Sequence, residues 1–211
     1  MIQTISKTIT FDEFVAWYPE NSVHKYELHN GVIVEMPLGT GDHSEVTGFL
    51  SGEINFEIRR LQLPYSIPGD CLLKLSRNGS GYQPDVIVLD RTALANESRW
   101  KKESVITMDS SVRLAVEVVS TNWQDDYLVK VADYEILGIS EYWVVDYAAL
   151  GGRRFIGNPK QPSISVYQLV DGEYQISQFR GNDTVESLAF PELKLTAEQI
   201  FLAGLPATEP S

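Results

Sequence analysis

Pro84-Asp85-Val86-Ile87-Val88-Leu89 and Leu114-Ala115-Val116-Glu117-Val118-Val119 are the two stretches on which the fold turns. Both are nearly continuous apolar runs of strand length, the pattern of strands covered on both faces. Central strands of that kind need a layer on each side, so the chain is predicted to be α/β. Each run also carries one acid where hydrocarbon is the easier choice. Pro84 suits the first residue of a strand, where no ladder donor is needed. Asp85 then leads into the core, and its plain reading is a strand-end aspartate capping a turn. In the second run, alternation sets Arg113, Ala115, Glu117 and Val119 on one face and Leu114, Val116 and Val118 on the other. A mid-strand carboxylate is costly to bury unless it is paired or bound to a metal. Glu117 is therefore either half of a buried ion pair or a metal ligand.

Downstream, Asp125 to Leu137 reads as a helix stopped by Gly138, a natural residue for the left-handed cap. Lys130 falls between Tyr134 and Leu137 on its wheel, with Tyr127 near, inside a largely apolar sector. A surface pair with Asp126 at i, i+4 is the alternative, worth roughly a few tenths of a kcal/mol. Tyr142-Trp143-Val144-Val145-Asp146 is another buried strand, and Ile164–Val170 with Tyr174–Phe179 forms a hairpin around Asp171-Gly172. Upstream, Thr10 caps a short helix through Tyr18, with Glu13 completing a capping box. Tyr26–His29 and Val32–Met36 flank Asn30-Gly31, a strong hairpin signal. Asp42, with Glu45 three residues on, begins a helix through Leu61 in which Val46, Phe49, Leu50, Ile54 and Ile58 recur at helical spacing. Gly48 and Gly52 share a face of it and leave room for close backbone approach. Leu72–Leu75 is a short strand, and the tail from Leu205 to Ser211 is expected to fray. The sum is one domain over residues 1–211, ordered from about 10 to 203, with a mixed central sheet flanked by helices and a β-hairpin at each end.

The 211 residues suit one domain, and 43% hydrophobic with 22% charged content suits a globular core. No stretch approaches the ~20 apolar residues of a membrane span, and Met1–Lys7 lacks the pattern of a signal peptide. Cys71 is the single cysteine, which excludes an intrachain disulfide and a multi-cysteine zinc site. A cytoplasmic protein is expected. The net charge of −12 argues against a general nucleic-acid coat protein. It leaves room for a nuclease, whose carboxylates repel DNA until a metal neutralises them. Arg59-Arg60, Arg99-Trp100-Lys101-Lys102 and Arg153-Arg154 are short basic clusters, available for backbone contact or simply for solubility.

Asp85, Glu117 and Lys130 together hold the parts of metal-dependent phosphodiester cleavage. Oxygen ligands from two strands suit a hard cation such as Mg²⁺, which keeps several waters and leaves positions for a phosphate. Such a cation polarises a phosphoryl oxygen and acidifies a bound water. An ammonium beside it orients that water or stabilises the developing charge.

These residues belong to a wider pattern. Pro84-Asp85, Glu117-Val118-Val119-Ser120, Asp126, Lys130, Tyr134, Gly138 and Glu141–Asp146 follow Tyr26-Glu27-Leu28, Asn30-Gly31 and His43-Ser44. The set resembles the Uma family of restriction-endonuclease-like proteins, in the PD-(D/E)XK nuclease superfamily, over roughly residues 10 to 203. The resemblance implies a restriction-endonuclease-like core, an endonuclease cleaving DNA with Mg²⁺ (or Mn²⁺), and a homodimer. The superfamily pattern places a lysine two residues after the acid on the same strand face, where this chain has Val119. The resemblance therefore implies that the lysine has migrated to the following helix as Lys130. It also implies that Asp85 and Glu117 bind the metal, with the Val118 carbonyl as a further ligand. Glu45 or Glu53 of the first core helix is the accessory acid it suggests. His43 either works at that site or caps and packs its helix, and Ser120 and Gln124 are turn and cap residues at its border. Two other functions stay open: a non-catalytic module that keeps the fold and binds nucleic acid or protein, and a purely structural acid–lysine network.

Overall fold

Thr10 starts the first helix by a reciprocal bond: its hydroxyl accepts from the Glu13 amide while the Glu13 carboxylate accepts from the Thr10 N–H. The computed structural model describes residues 8–20, 22–75 and 79–205. Met1–Lys7 and most of the tail expected to fray (206–211) lie outside the described residues. The elements are α1 (Phe11–Trp17), β1 (Lys25–His29), β2 (Val32–Met36), α2 (Gly41–Arg60), β3 (Tyr65–Ser66), β4 (Leu72–Lys74) and β5 (Gly81–Tyr82). They continue with β6 (Val86–Asp90), α3 (Trp100–Glu103), β7 (Val105–Ile106), β8 (Val112–Val118), α4 (Lys130–Leu137) and β9 (Glu141–Asp146). The last are α5 (Arg153–Ile156), β10 (Ser163–Val170), β11 (Glu173–Phe179) and α6 (Ala197–Leu202).

The central sheet is mixed, in the order β11-β10-β9-β8-β6-β3. β6 runs antiparallel to β8 with Val86 opposite Val116, and β9 runs parallel to β8 with Val144 opposite Glu117. Both central strands are covered on both faces. Val86, Val88, Leu114, Val116 and Val118 pack toward α2 and α6, burying Val46, Leu50, Ile54, Ile200 and Phe201. Ile87, Leu89, Ala115 and Val119 pack on the other side with Tyr82, Tyr127, Tyr134 and Tyr142.

The mixed central sheet and a hairpin toward each end both form, but only one of the hairpins belongs to that sheet. The C-terminal hairpin, β10–β11, does extend the central sheet. The N-terminal hairpin instead pairs Leu28 with Gly81 and joins a second mixed sheet, β2-β1-β5-β4-β7. A side chain at Gly81 would collide with the Phe11 ring, so the glycine lets α1 lie directly on that sheet. Three further expectations change. Thr40, not Asp42, caps α2, its side chain accepting from the His43 amide. Gly48 and Gly52 are exposed, and nothing lies near the position of a Cβ, because the buried stripe of α2 is Val46, Leu50, Ile54 and Ile58. The helix expected from Asp125 begins with a wider π-type turn, Asp125–Val129, in which the Lys130 N–H bonds back to the Asp125 carbonyl. No described helix is long and apolar enough to cross a membrane.

Asp90 closes the end of β6 against β8. One oxygen accepts from Arg113 Nη2 at 2.6 Å and the other from the Thr92 amide at 2.8 Å. Burial pushes this carboxyl up, but the Arg113 guanidinium and the loop amides outweigh it and hold it below the usual carboxylate range. A depressed folded pKa gives stability that is complete above the unfolded value and is lost as pH falls through the folded one. Asp90→Asn is expected to lose roughly 1 kcal/mol at neutral pH, discounted because Arg113 is half exposed. In urea melts the gap to wild type should narrow as pH falls from the ordinary aspartate range through the depressed folded value, where the wild-type carboxyl takes up its proton.

Candidate active site

Lys130 is the first residue of α4, and its side chain runs inward rather than to solvent, 2% exposed. Its Nζ lies 3.0 Å from Glu117 Oε1, 3.2 Å from Glu27 Oε1 and 3.8 Å from Asp126 Oδ1. The Tyr82 ring centroid is 5.5 Å away. The pair with Asp126 at i, i+4 thus exists, but as a buried contact. Tyr134, one helical turn on, donates its hydroxyl to the same Glu117 oxygen at 3.1 Å. Spacing of four residues puts both donors on one face of α4. Val119, on the strand face of Glu117, packs into the apolar core and leaves that ground to the helix.

Asp85 precedes β6, one place beyond the Val86–Val116 pair, so its register position faces Glu117. Side chains at such opposed positions start about 5 Å apart at Cβ. Asp85 Oδ2 accepts from the Val118 amide at 2.8 Å and lies 3.3 Å from His43 Nε2. His43 Nε2 is also 3.0 Å from the Val118 carbonyl. Both neighbours are acceptors, so Nε2 carries the proton. Gly39 makes room for this ring: a Cβ there would stand 2.9 Å from His43 Nδ1. His43 therefore both completes the cap of α2 with its amide and reaches the acids with its ring.

The electrostatics follow from burial and from an excess of acid. Burial and the charges of Asp85, Asp126 and Glu27 push the Glu117 carboxyl well up, against the pull of Lys130. Burial pushes Asp126 up to about 7, again against Lys130 and with Asp85 and Glu27 adding to the rise. Burial works against the charge on Lys130, yet Glu117, Glu27 and Asp126 outweigh it and hold the ammonium charged. Glu27 stays below the usual range despite its burial, because Lys130, His29 and the Gln83 amide all favour its charged form. The hydrogen bond that His43 donates to Asp85 raises its imidazole, more than burial lowers it. Lys130 thus stands charged between Glu27, which is held low, and Glu117, which is pushed up.

The structure brings Asp85, Glu117, Lys130, the Val118 carbonyl and His43 together. Glu45 does not join them: it is exposed, and two residues on from His43 is about 200° round the helix. Glu53 lies ten residues, or about 15 Å, further along α2. Glu27 is the member that sequence reasoning missed as a site residue. It arrives from the N-terminal hairpin, and its 1% exposure in an amphipathic strand was the available signal only once the second sheet was known. Access is from the Asp85 side, where the carboxylate side chain is 21% exposed, next to a recess of about 10 Å³ bordered by Gln83 and Pro84. Among the described residues, no group of three or more His, Cys, Asp or Glu is spaced to hold a metal ion by itself.

Comparison with known proteins places the fold and the family. A crystal structure of a "putative nuclease belonging to DUF820" from Anabaena variabilis superposes with a TM-score of 0.72 at 18% sequence identity. The alignment covers 93% of this chain and 99% of that one, a likeness of fold. Among curated proteins none matches. The model of the Uma2 family, described as "Putative restriction endonuclease", matches residues 11–198. With nearly the whole chain under that match, the protein belongs to the Uma2 family of restriction-endonuclease-like proteins.

Proposed function

We propose that the chain is a divalent-cation-dependent DNA endonuclease working through Asp85, Glu117 and Lys130. One observation carries the reading. The Lys130 ammonium, supplied by a helix, lies 3.0 Å from Glu117 on the strand face where Val119 stands in place of a lysine. Membership of a family of restriction-endonuclease-like proteins supports the same chemistry.

The donor set fits a hard dication. Asp85, Glu117 and the Val118 carbonyl offer only oxygen, and Mg²⁺ is commonly held by one or two carboxylates while keeping its waters. Glu27, Asp85, Glu117 and Asp126 crowd around one lysine, and the upward push on Glu117 and Asp126 reports that surplus of negative charge. When bound, Mg²⁺ or Mn²⁺ supplies polarisation of a phosphoryl oxygen and a more acidic water. The remaining work belongs to the chain. Lys130, held charged, stabilises negative charge beside Glu117 and does not serve as the base. Tyr134 fixes one Glu117 oxygen, and the His43 ring fixes Asp85 and the Val118 carbonyl toward the exposed side. Operation as a cytoplasmic homodimer is part of the same proposal.

A specific observation favours one second reading. Lys130 is almost wholly buried and saturated by carboxylates, as in a structural ion cluster. In that case the protein is a non-catalytic binding module, and the cluster only ties the hairpin to the core.

Two measurements separate these readings. Plasmid cleavage with Mg²⁺ or Mn²⁺ is expected for wild type, falling roughly a hundredfold or more in Asp85→Asn and in the charge-balanced pair Lys130→Met with Glu27→Gln. Equal rates in all three proteins would sink the assignment. Mn²⁺ is also expected to raise the melting temperature of wild type by binding the folded state, and to leave Asp85→Asn unmoved. A thermal shift of the same size in both would place the ion elsewhere.

A further inference from the structure

Some of the arginines on this acidic surface are already paired with carboxylates. Arg60 pairs with Glu57 and Glu192, and Arg99 with Asp12 and Glu103. Arg153 and Arg154, which begin α5, are exposed, and among the described residues no carboxylate pairs with either. In a chain of net charge −12, two adjacent arginines unpaired by a carboxylate make a local positive patch.

Their mounting is rigid. Asp146, at the end of β9, accepts from the amides of Leu150 and Gly151 at 2.8 Å each and folds the following loop back on itself. The loop packs so closely that a Cβ on Gly152 would stand 2.8 Å from the Trp123 ring. Phe155 stacks on Tyr127, ring centroids 4.7 Å apart and planes at 21°, with Trp123 edge-on to it at 6.0 Å. The Arg154 guanidinium sits over Phe155, 4.5 Å from its centroid. An arginine held on an aromatic face loses little freedom when it meets an anion.

Their place matters as much as their charge. β8 and β9 run parallel with Glu117 opposite Val144. The loop after Asp146 therefore leaves the sheet at the same end as Val118 to Ser120. Tyr127, under Phe155, adjoins Asp126, which contacts Lys130. We propose that Arg153 and Arg154 grip the phosphate backbone of the DNA whose scissile phosphodiester lies at Asp85 and Glu117. This rests on the nuclease reading above, since charge alone would suit any polyanion. Guanidinium groups bind phosphate oxygens through paired hydrogen bonds, and two such contacts offset the repulsion between an acidic chain and DNA.

The test is the affinity of a labelled DNA duplex, measured with Ca²⁺ in place of Mg²⁺ across a series of KCl concentrations. Arg153→Ala with Arg154→Ala is expected to weaken binding roughly ten- to thirtyfold near physiological salt and to lower the slope of log K against log salt by about 2. KM for plasmid cleavage should rise in step, while the melting temperature stays at the wild-type value. Lys101→Ala with Lys102→Ala, which removes equal charge from another surface, should leave the slope unchanged. An unmoved slope in the arginine variant, alongside a wild type that still cleaves, overturns the grip and leaves the nuclease reading intact. A wild type that neither binds nor cleaves DNA overturns both.

Discussion

An ammonium buried in a protein costs several kcal/mol to desolvate, and it stays there only if carboxylates and hydrogen bonds compensate it closely. Lys130 meets that condition through residues from four places: Glu27 on β1, Glu117 on β8, Asp126 in the π-type turn and the Tyr82 ring on β5. Compensation therefore exists only when the second sheet is docked over α4 and the central sheet. The N-terminal hairpin is part of the cluster rather than an appendage, and Gln83 reinforces this by donating its amide to Glu27 and its side chain to Tyr18. Removing Lys130 alone would leave Glu27 and Glu117 facing each other without a cation, a loss on the order of 3–5 kcal/mol.

The compensation is also incomplete. One lysine and a histidine that Asp85 favours in its charged form face four acids, and burial with that excess of acid pushes the Glu117 and Asp126 carboxyls upward. Groups kept off their ordinary pKa by burial and by one another are characteristic of working sites as well as of strained structural networks. Of the four acids Asp85 is the one that reaches solvent, its side chain 21% exposed, while Lys130 and Glu27 are buried.

The central strands were legible because hydrophobic runs covered on both faces have no other stable place, and alternation along β8 correctly separated Glu117 from Val116 and Val118. The Asn30-Gly31 and Asp171-Gly172 turns were legible because their backbone geometry demands those residues, at φ values of 51° and 80° in the first and 53° and 87° in the second. The second sheet was not. β5 and β7 are two residues each, too short for any period to register, and a single Leu28–Gly81 pair decides where the hairpin goes. Glu27 was lost with it. By contrast α6 was readable and passed over: Thr196 and Gln199 form a capping box before Ile200 and Phe201.

Placing the lysine on a helix changes what holds the site together. A lysine two residues along β8 would share the strand's rigidity with Glu117. Here both donors to Glu117 Oε1, Lys130 and Tyr134, come from α4, so a slip of that helix would withdraw them together. Its two ends are accordingly pinned. At the start, the π-type turn bonds the Lys130 amide to Asp125. At the end, Gly138 at φ 94° accepts a left-handed cap that most residues resist, and a Cβ there would meet Asp109 at 3.1 Å. With both ends of α4 anchored, the position of that helix decides whether the Lys130 and Tyr134 contacts to Glu117 hold.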